Sequence, residues 1–239
     1  MNHIIGITER GDAALDLTWK TWVEKNKPAI LLTKAPNKLA ETLLTLNNMN
    51  IIIHCTITGY GDSILEPFVK PYQEEITSLK ALKKLLPSER IVLRIDPIIP
   101  TENGIKKAIK IINEAQKIGL FRIRISFLDL YDHVKKRFKT EEIPLPWETF
   151  HAPLEIRQQA LKTIQETSKT IVEICSEPDF KCTGCISEFD CTILKVEPKP
   201  INNTQRKLCM CMSSKKELLK NKTPCQHKCL YCYWKSNGE

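Results

Sequence analysis

Six times in its first 180 residues the chain repeats one phrase: a short apolar, β-branched run, a polar cluster at its end, then a helical segment. The strand candidates are His3–Thr8, Ala29–Thr33, Ile51–Thr56, Ile91–Ile95, Phe121–Phe127 and Ile171–Cys175. Most are rich in Ile, Val and Leu, as strands covered on both faces are. Helices are expected near Ala13–Glu24, Lys38–Asn48, Gln73–Leu86, Gly104–Ile118 and Leu154–Ser168. The fourth shows the period plainly, with Ile105, Ala108, Ile109, Ile112 and Ala115 on one stripe and lysines opposite. Each helix must carry the chain back across the sheet, so the strands are expected to be parallel, with right-handed crossovers.

Six such units make either an open doubly wound sheet or part of a barrel. No Gly-x-Gly-x-x-Gly follows the first strand and the chain holds only 8 glycines, which argues against a dinucleotide fold. The expected class is α/β, six parallel strand–helix units over residues 1–180. A cysteine-rich segment, 181–239, is expected to fold over the carboxyl ends of the strands as part of one structural unit. No apolar run is long enough to cross a membrane and no secretory leader is evident, so a cytoplasmic protein is expected.

Barrel chemistry sits just past the strands. The residues there are polar: Thr8-Glu9-Arg10-Gly11-Asp12, Thr33-Lys34-Ala35-Pro36, Thr56-Ile57-Thr58-Gly59-Tyr60, Arg94-Ile95-Asp96-Pro97, Ser126-Phe127-Leu128-Asp129 and Cys175-Ser176-Glu177. Solvated loops are polar too, so each taken singly says little. Arg94 and Asp96 differ, because they share one face of an otherwise apolar strand. A charge pair there is costly unless matched, as a site lining or a structural salt bridge.

Ten cysteines without a secretory leader point to metal or redox chemistry rather than disulfides. Cys55 stands alone and reads as a core residue, while the other nine fall between Cys175 and Cys232. Cys225, Cys229 and Cys232 are spaced C-x3-C-x2-C, an iron–sulfur rather than a zinc-knuckle pattern. Three thiolates leave one iron of a [4Fe–4S] cluster open. Six tail-region cysteines remain, Cys175, Cys182, Cys185, Cys191, Cys209 and Cys211, and four thiolates suffice for an auxiliary cluster. A four-cysteine zinc knuckle is the rival for that second site. The basic tail, with eleven Lys/Arg against five Asp/Glu from Lys181 onward, either compensates such clusters or faces an anionic partner.

The C-x3-C-x2-C run, with Tyr231 before its last cysteine, resembles the motif of radical S-adenosylmethionine enzymes. For the six repeated units that resemblance implies the core fold of those enzymes, a parallel (β/α)6 partial TIM-type barrel. Here the motif lies near the C-terminus rather than after the first strand. Strand ends and tail together resemble an uncharacterised prokaryotic family, domain of unknown function 1848. The matches are Arg10 and Asp12; Lys34 and Pro36; Thr56, Thr58 and Tyr60; Arg94, Asp96 and Pro97; then Ser126, Asp129 and Tyr131; Cys175 and Glu177; and Gln205, Arg206, Cys209 and Cys211, before the terminal cysteines. Gly11, Ala35 and the closing Tyr-Trp-Lys depart from the pattern. The resemblance implies S-adenosylmethionine chelated at the open iron, a flavodoxin or ferredoxin as reductant, and a 5′-deoxyadenosyl radical. It also favours Cys175, Cys185, Cys209 and Cys211 as ligands of the auxiliary cluster, with Cys182 and Cys191 as alternatives. Tyr231, Arg94, Thr58, Ser126 and Glu177 would then bind cofactor, with Tyr231 near the adenine. Arg94, Asp96, Asp129, Lys34 and Asp12 would serve the chemistry. A run of about ten residues also resembles spore photoproduct lyase, a weak pointer to nucleic acid. The alternative is an iron–sulfur or zinc module without turnover, a redox partner or nucleic-acid adaptor.

Overall fold

A computed structural model describes residues 4–47, 49–199, 210–220 and 225–235. Seven parallel strands form one sheet: β1 (Ile4–Ile7), β2 (Ala29–Thr33), β3 (Ile51–Thr56), β4 (Ile91–Ile98), β5 (Ile123–Phe127), β6 (Val172–Ile174) and β7 (Ser214–Glu217). Their order is β6-β5-β4-β3-β2-β1-β7. The first six neighbour one another in chain order with no reversal, so the sheet has no switch point of the doubly wound kind. It curls into a half-barrel.

Strand periodicity separates two faces. Leu31, Ile51, Ile53, Cys55, Ile91, Leu93, Ile95, Ile123 and Ile125 pack on the helical side. There they meet α2 (Pro36–Leu43), α3 (Tyr72–Leu85), α4 (Glu102–Lys117) and α6 (Leu154–Thr167) through side chains such as Leu39, Leu79, Ile111, Ile112 and Ile164. Cys55 is wholly buried in this core, as its setting in the sequence leads one to expect. The expected first helix is reduced to one turn, α1 (Lys20–Val23), because Asp12 caps the start of this stretch as a turn, accepting from the Ala14 amide at 2.7 Å. Two helices are not foreseen from the sequence: α5 (Asp132–Thr140), which follows β5, and α7 (Glu188–Leu194) in the tail.

The opposite, inner face carries Ile5, Ile7, Ile30, Leu32, Ile52 and Val92. It is covered by chain from the tail: Ile186, Leu194, Val196 and Cys211, with α7 (Glu188–Leu194) at the centre. The tail also supplies β7, which pairs in register with β1. This strand, Ser-Lys-Lys-Glu, lacks the apolar signature of the others, which is why periodicity does not find it. Toward β5 and β6 the inner face becomes ionic. Arg94, Arg124 and Glu173 stand opposite one another across three strands. Asp190 of α7 meets Arg122 at 2.7 Å and Arg124 at 3.2 Å, and Arg124 meets Glu173 at 2.6 Å. Burial alone would raise the Asp190 carboxyl, yet the two guanidiniums hold it well below the usual carboxylate range.

Candidate functional site

The turns after β1, β2 and β3 converge on the loop that carries the terminal cysteines. Asp12, after β1, is 4% exposed. One of its oxygens accepts from the Thr33 hydroxyl at 2.7 Å and the other from the Lys34 amide at 2.6 Å. That second oxygen also meets His227 Nε2 at 2.7 Å. Burial pushes the Asp12 carboxyl up, but the hydrogen bond and charge of His227 outweigh it and hold it low. His227 lies between Cys225 and Cys229, so this contact ties the cysteine loop to β1 and β2.

Lys34 makes the second tie. Its Nζ donates to Glu66 Oε1 at 2.5 Å and to the Tyr231 hydroxyl at 3.0 Å, and Tyr231 itself donates to Glu66. Thr58, buried after β3, is within hydrogen-bonding reach of both Glu66 and Tyr231. Burial opposes the charge on Lys34, and the Glu66 carboxylate more than restores it. The chain reaches Glu66 through Gly59, at φ +81°, and Gly61, where a Cβ would lie 1.9 Å from the Lys70 carbonyl oxygen. Those two glycines permit the tight loop that returns Glu66 beneath the cysteines.

Two further clamps hold the loop. The Leu230 amide donates to Leu65 O at 3.0 Å. From α5, Arg137 donates to Cys232 O at 2.6 Å and to Trp234 O at 2.9 Å. The Cys225, Cys229 and Cys232 thiols are half-buried and feel one another's charge. Burial pushes Cys229 up to about 12, with Lys34 pulling the other way. Tyr231, 7% exposed, packs edge-on to Tyr60 with centroids 6.3 Å apart.

A second thiol group lies on the inner face. Cys175 Sγ stands 3.1 Å from Cys185 Sγ, and Cys211 is within hydrogen-bonding reach of Cys185. The sulfur–sulfur hydrogen bond pulls the Cys185 thiol well below its ordinary value and raises Cys175. Glu9 approaches Cys185 and pairs with Lys215 at 3.1 Å; burial raises its carboxyl to about 7. Cys182 is turned aside, its sulfur 3.2 Å from the Glu177 amide nitrogen. The buried Cys191 sulfur lies 3.5 Å from Met212 O. Cys209, with Gln205 and Arg206, lies outside the described residues. Among the described residues no group of three or more His, Cys, Asp or Glu side chains converges as a metal site.

The other expected site residues divide. Arg94 and Asp96 form an ion pair on the inner face, both about one-fifth exposed, and Asp96–Pro97 is a cis peptide. The Arg94 charge reaches both Cys175 and Cys185. Ser126 is half-buried on the same face. Asp129 meets His151 Nδ1 at 2.8 Å. Glu177 accepts from the Phe127 amide at 2.7 Å and faces Arg157 at 3.4 Å, so it braces β5 against α6. The sequence did not single out Glu66, and Glu9 figured only within the polar turn after β1. Arg122, just before β5, and Arg124 within it also went unremarked, although they share one face as Arg94 and Asp96 do on β4; that alternation was the available signal.

The sequence model of one family, Domain of unknown function (DUF1848), matches residues 20–234. The chain belongs to the DUF1848 family. No curated protein and no solved structure matches it. The DUF1848 match takes in both thiol groups, the ties through Lys34, Glu66 and Tyr231, and the tail strand β7, but begins after Asp12. No helix among the described residues is long and apolar enough to cross a membrane.

Proposed function

We propose that this protein is a radical S-adenosylmethionine enzyme whose open-site [4Fe–4S] cluster is held by Cys225, Cys229 and Cys232. The observation that carries the reading is the anchorage of the C-x3-C-x2-C loop. Two of its intervening residues, His227 and Tyr231, are bonded to Asp12, Lys34 and Glu66 at the ends of β1 to β3. In the finer fold we infer, a (β/α)6 TIM-type partial barrel, those ends are where reactive groups gather. The donor chemistry suits the group, although the three side chains are not drawn together in this structure: three sulfurs from one short loop, soft ligands that favour iron–sulfur clusters, with Lys34 near them to offset thiolate charge. When bound, the cluster and S-adenosylmethionine supply one-electron cleavage of a sulfonium bond and hydrogen-atom abstraction from a substrate.

The chain's own groups then position and exclude. Tyr231 and Tyr60 wall the loop on one side and keep water from it. Lys34 and the Arg94–Asp96 pair offer a cation and a carboxylate for the amino-acid and ribose portions of the cofactor. Cys175, Cys185 and Cys211 would supply thiolates to an auxiliary cluster, with Lys215 and Arg94 balancing their charge; Cys209, the fourth expected ligand, lies outside the described residues. The reading entails a flavodoxin- or ferredoxin-type reductant and a reducing, cytoplasmic setting.

The test is anaerobic reconstitution followed by iron, sulfide and zinc analysis, and an EPR spectrum of the reduced protein with and without S-adenosylmethionine. About four or eight irons per chain are expected, with a spectrum that shifts on adding the cofactor and 5′-deoxyadenosine as product. Zinc in place of iron, or a cluster indifferent to the cofactor, would overturn the reading in favour of a non-catalytic module.

A further inference from the structure

We propose that the rim around the cysteine loop binds single-stranded nucleic acid through exposed aromatic rings. Calling that strand the substrate rests on the enzymatic reading above; the binding itself does not. Large apolar side chains scattered singly on a surface need no explanation, but a contiguous group of them marks an interaction site. Here Phe68 is 61% exposed, Phe150 40%, Trp234 40% and Tyr233 37%.

Three of these rings form a strip. Phe150 meets the half-buried Tyr131 edge-on at 4.8 Å, Tyr131 lies 6.5 Å from Tyr233, and Tyr233 lies 5.1 Å from Trp234. The Arg10 guanidinium stands over the Trp234 ring at 5.3 Å. On the His227 side of the loop, the Lys228 ammonium stands over Phe68 at 5.3 Å. His227 itself lies 3.3 Å from the Phe68 carbonyl oxygen, so that ring sits against the loop. Exposed rings, each end with its own cation, therefore bracket the three cysteines.

A ring with a cation beside it offers a ligand a π-face for stacking and a positive charge for a phosphate. A polynucleotide presents both partners at every residue; a peptide presents planar groups only sporadically. The formal charge of +8 favours the same anionic partner. The strand must be single, because a base inside a duplex has both faces covered and cannot reach a recessed loop without leaving the stack.

The test is fluorescence anisotropy on the full-length, anaerobically reconstituted protein. The probes are a labelled 12-nucleotide single-stranded DNA, the matching RNA, and the same sequence as duplex, with phosphatidylserine vesicles as competitor. At least one single strand should bind, more weakly as salt rises, and at least tenfold better than the duplex. Trp234→Ala and Phe68→Ala should each weaken binding about tenfold, as loss of one stacked base does. Arg10→Ala and Lys228→Ala should each reduce the salt slope by about one. Iron content should be unchanged in the Trp234, Phe68 and Arg10 variants. No single-strand binding, duplex binding of equal strength, or aromatic variants that bind normally would overturn the proposal. Vesicle capture that abolishes binding and depends on the same rings would instead make this a membrane surface. Strand binding that persists in protein unable to cleave S-adenosylmethionine would remove the enzymatic reading and leave this one standing.

Discussion

Glu66 joins the tail to the sheet. It is 1% exposed, and its carboxylate receives both the Lys34 ammonium and the Tyr231 hydroxyl. Removing one partner of a buried pair is costly because the other charge stays buried alone. Glu66→Ala should therefore destabilise by about 3–5 kcal/mol in urea unfolding, and Glu66→Gln, which still accepts from Tyr231, by less. A different carboxyl nearby behaves in the opposite way. Glu75 of α3 is 3% exposed, and its Oε2 has no hydrogen-bond partner among the described residues. Burial, with the Asp12 charge adding to it, raises its pKa to about 8. Below about pH 4.5 it is protonated in both folded and unfolded chains and imposes no cost. As pH rises the unfolded chain ionises first, so stability falls until pH passes about 8. Glu75→Gln should remove that slope, gaining roughly 2–4 kcal/mol over wild type at pH 9 and little at pH 4. Urea midpoints of the two proteins across this range measure the difference.

At the scale of elements, α7 shows how one short helix can hold two sheet arginines. Its N-terminus is closed by a capping box in which Ser187 accepts from the Asp190 amide and Asp190 accepts from the Ser187 amide at 2.8 Å. The same Asp190 carboxylate takes Arg122 and Arg124. Asp190→Ala removes the cap partner and leaves two guanidiniums sharing Glu173, so a loss of about 3–5 kcal/mol is expected. Hydrogen exchange should show α7 opening first. Little of this was legible in the sequence. The apolar runs announced β2 and β3 to the residue, and the 3.6 period announced α4, because burial on a regular element leaves a regular pattern. Asp190 and Glu66 lie where no period operates, and the cations they pair with are 32 to 68 residues away. The cysteine spacing was legible as chemistry, yet the ties of His227 and Tyr231 to Asp12, Lys34 and Glu66 were not, since only folding brings β1 and the tail together.

For the whole molecule, the tail completes the sheet as well as carrying the cysteines. Ile5, Ile7, Ile30, Leu32, Ile52 and Val92 are each at most 8% exposed because Ile186, Leu194, Val196 and Cys211 of the tail pack over them. The tail also occupies the free edge of β1 through β7. A chain ending at residue 184 would bare six aliphatic side chains and an unpaired parallel edge, the combination that invites association. It would also leave Arg122 and Arg124 without Asp190. Such a truncation should bind a hydrophobic dye and elute as aggregate, even where far-UV circular dichroism retains helix from α2 to α6. The triple variant Cys225→Ser, Cys229→Ser, Cys232→Ser is the necessary contrast, because it keeps α7, β7 and the inner-face packing intact. It should remain monodisperse while losing the iron assigned to the terminal loop. If the serine variant aggregated like the truncation, metal binding rather than packing would hold the tail on the sheet. The two proteins, run side by side in size-exclusion chromatography with iron analysis, separate those causes.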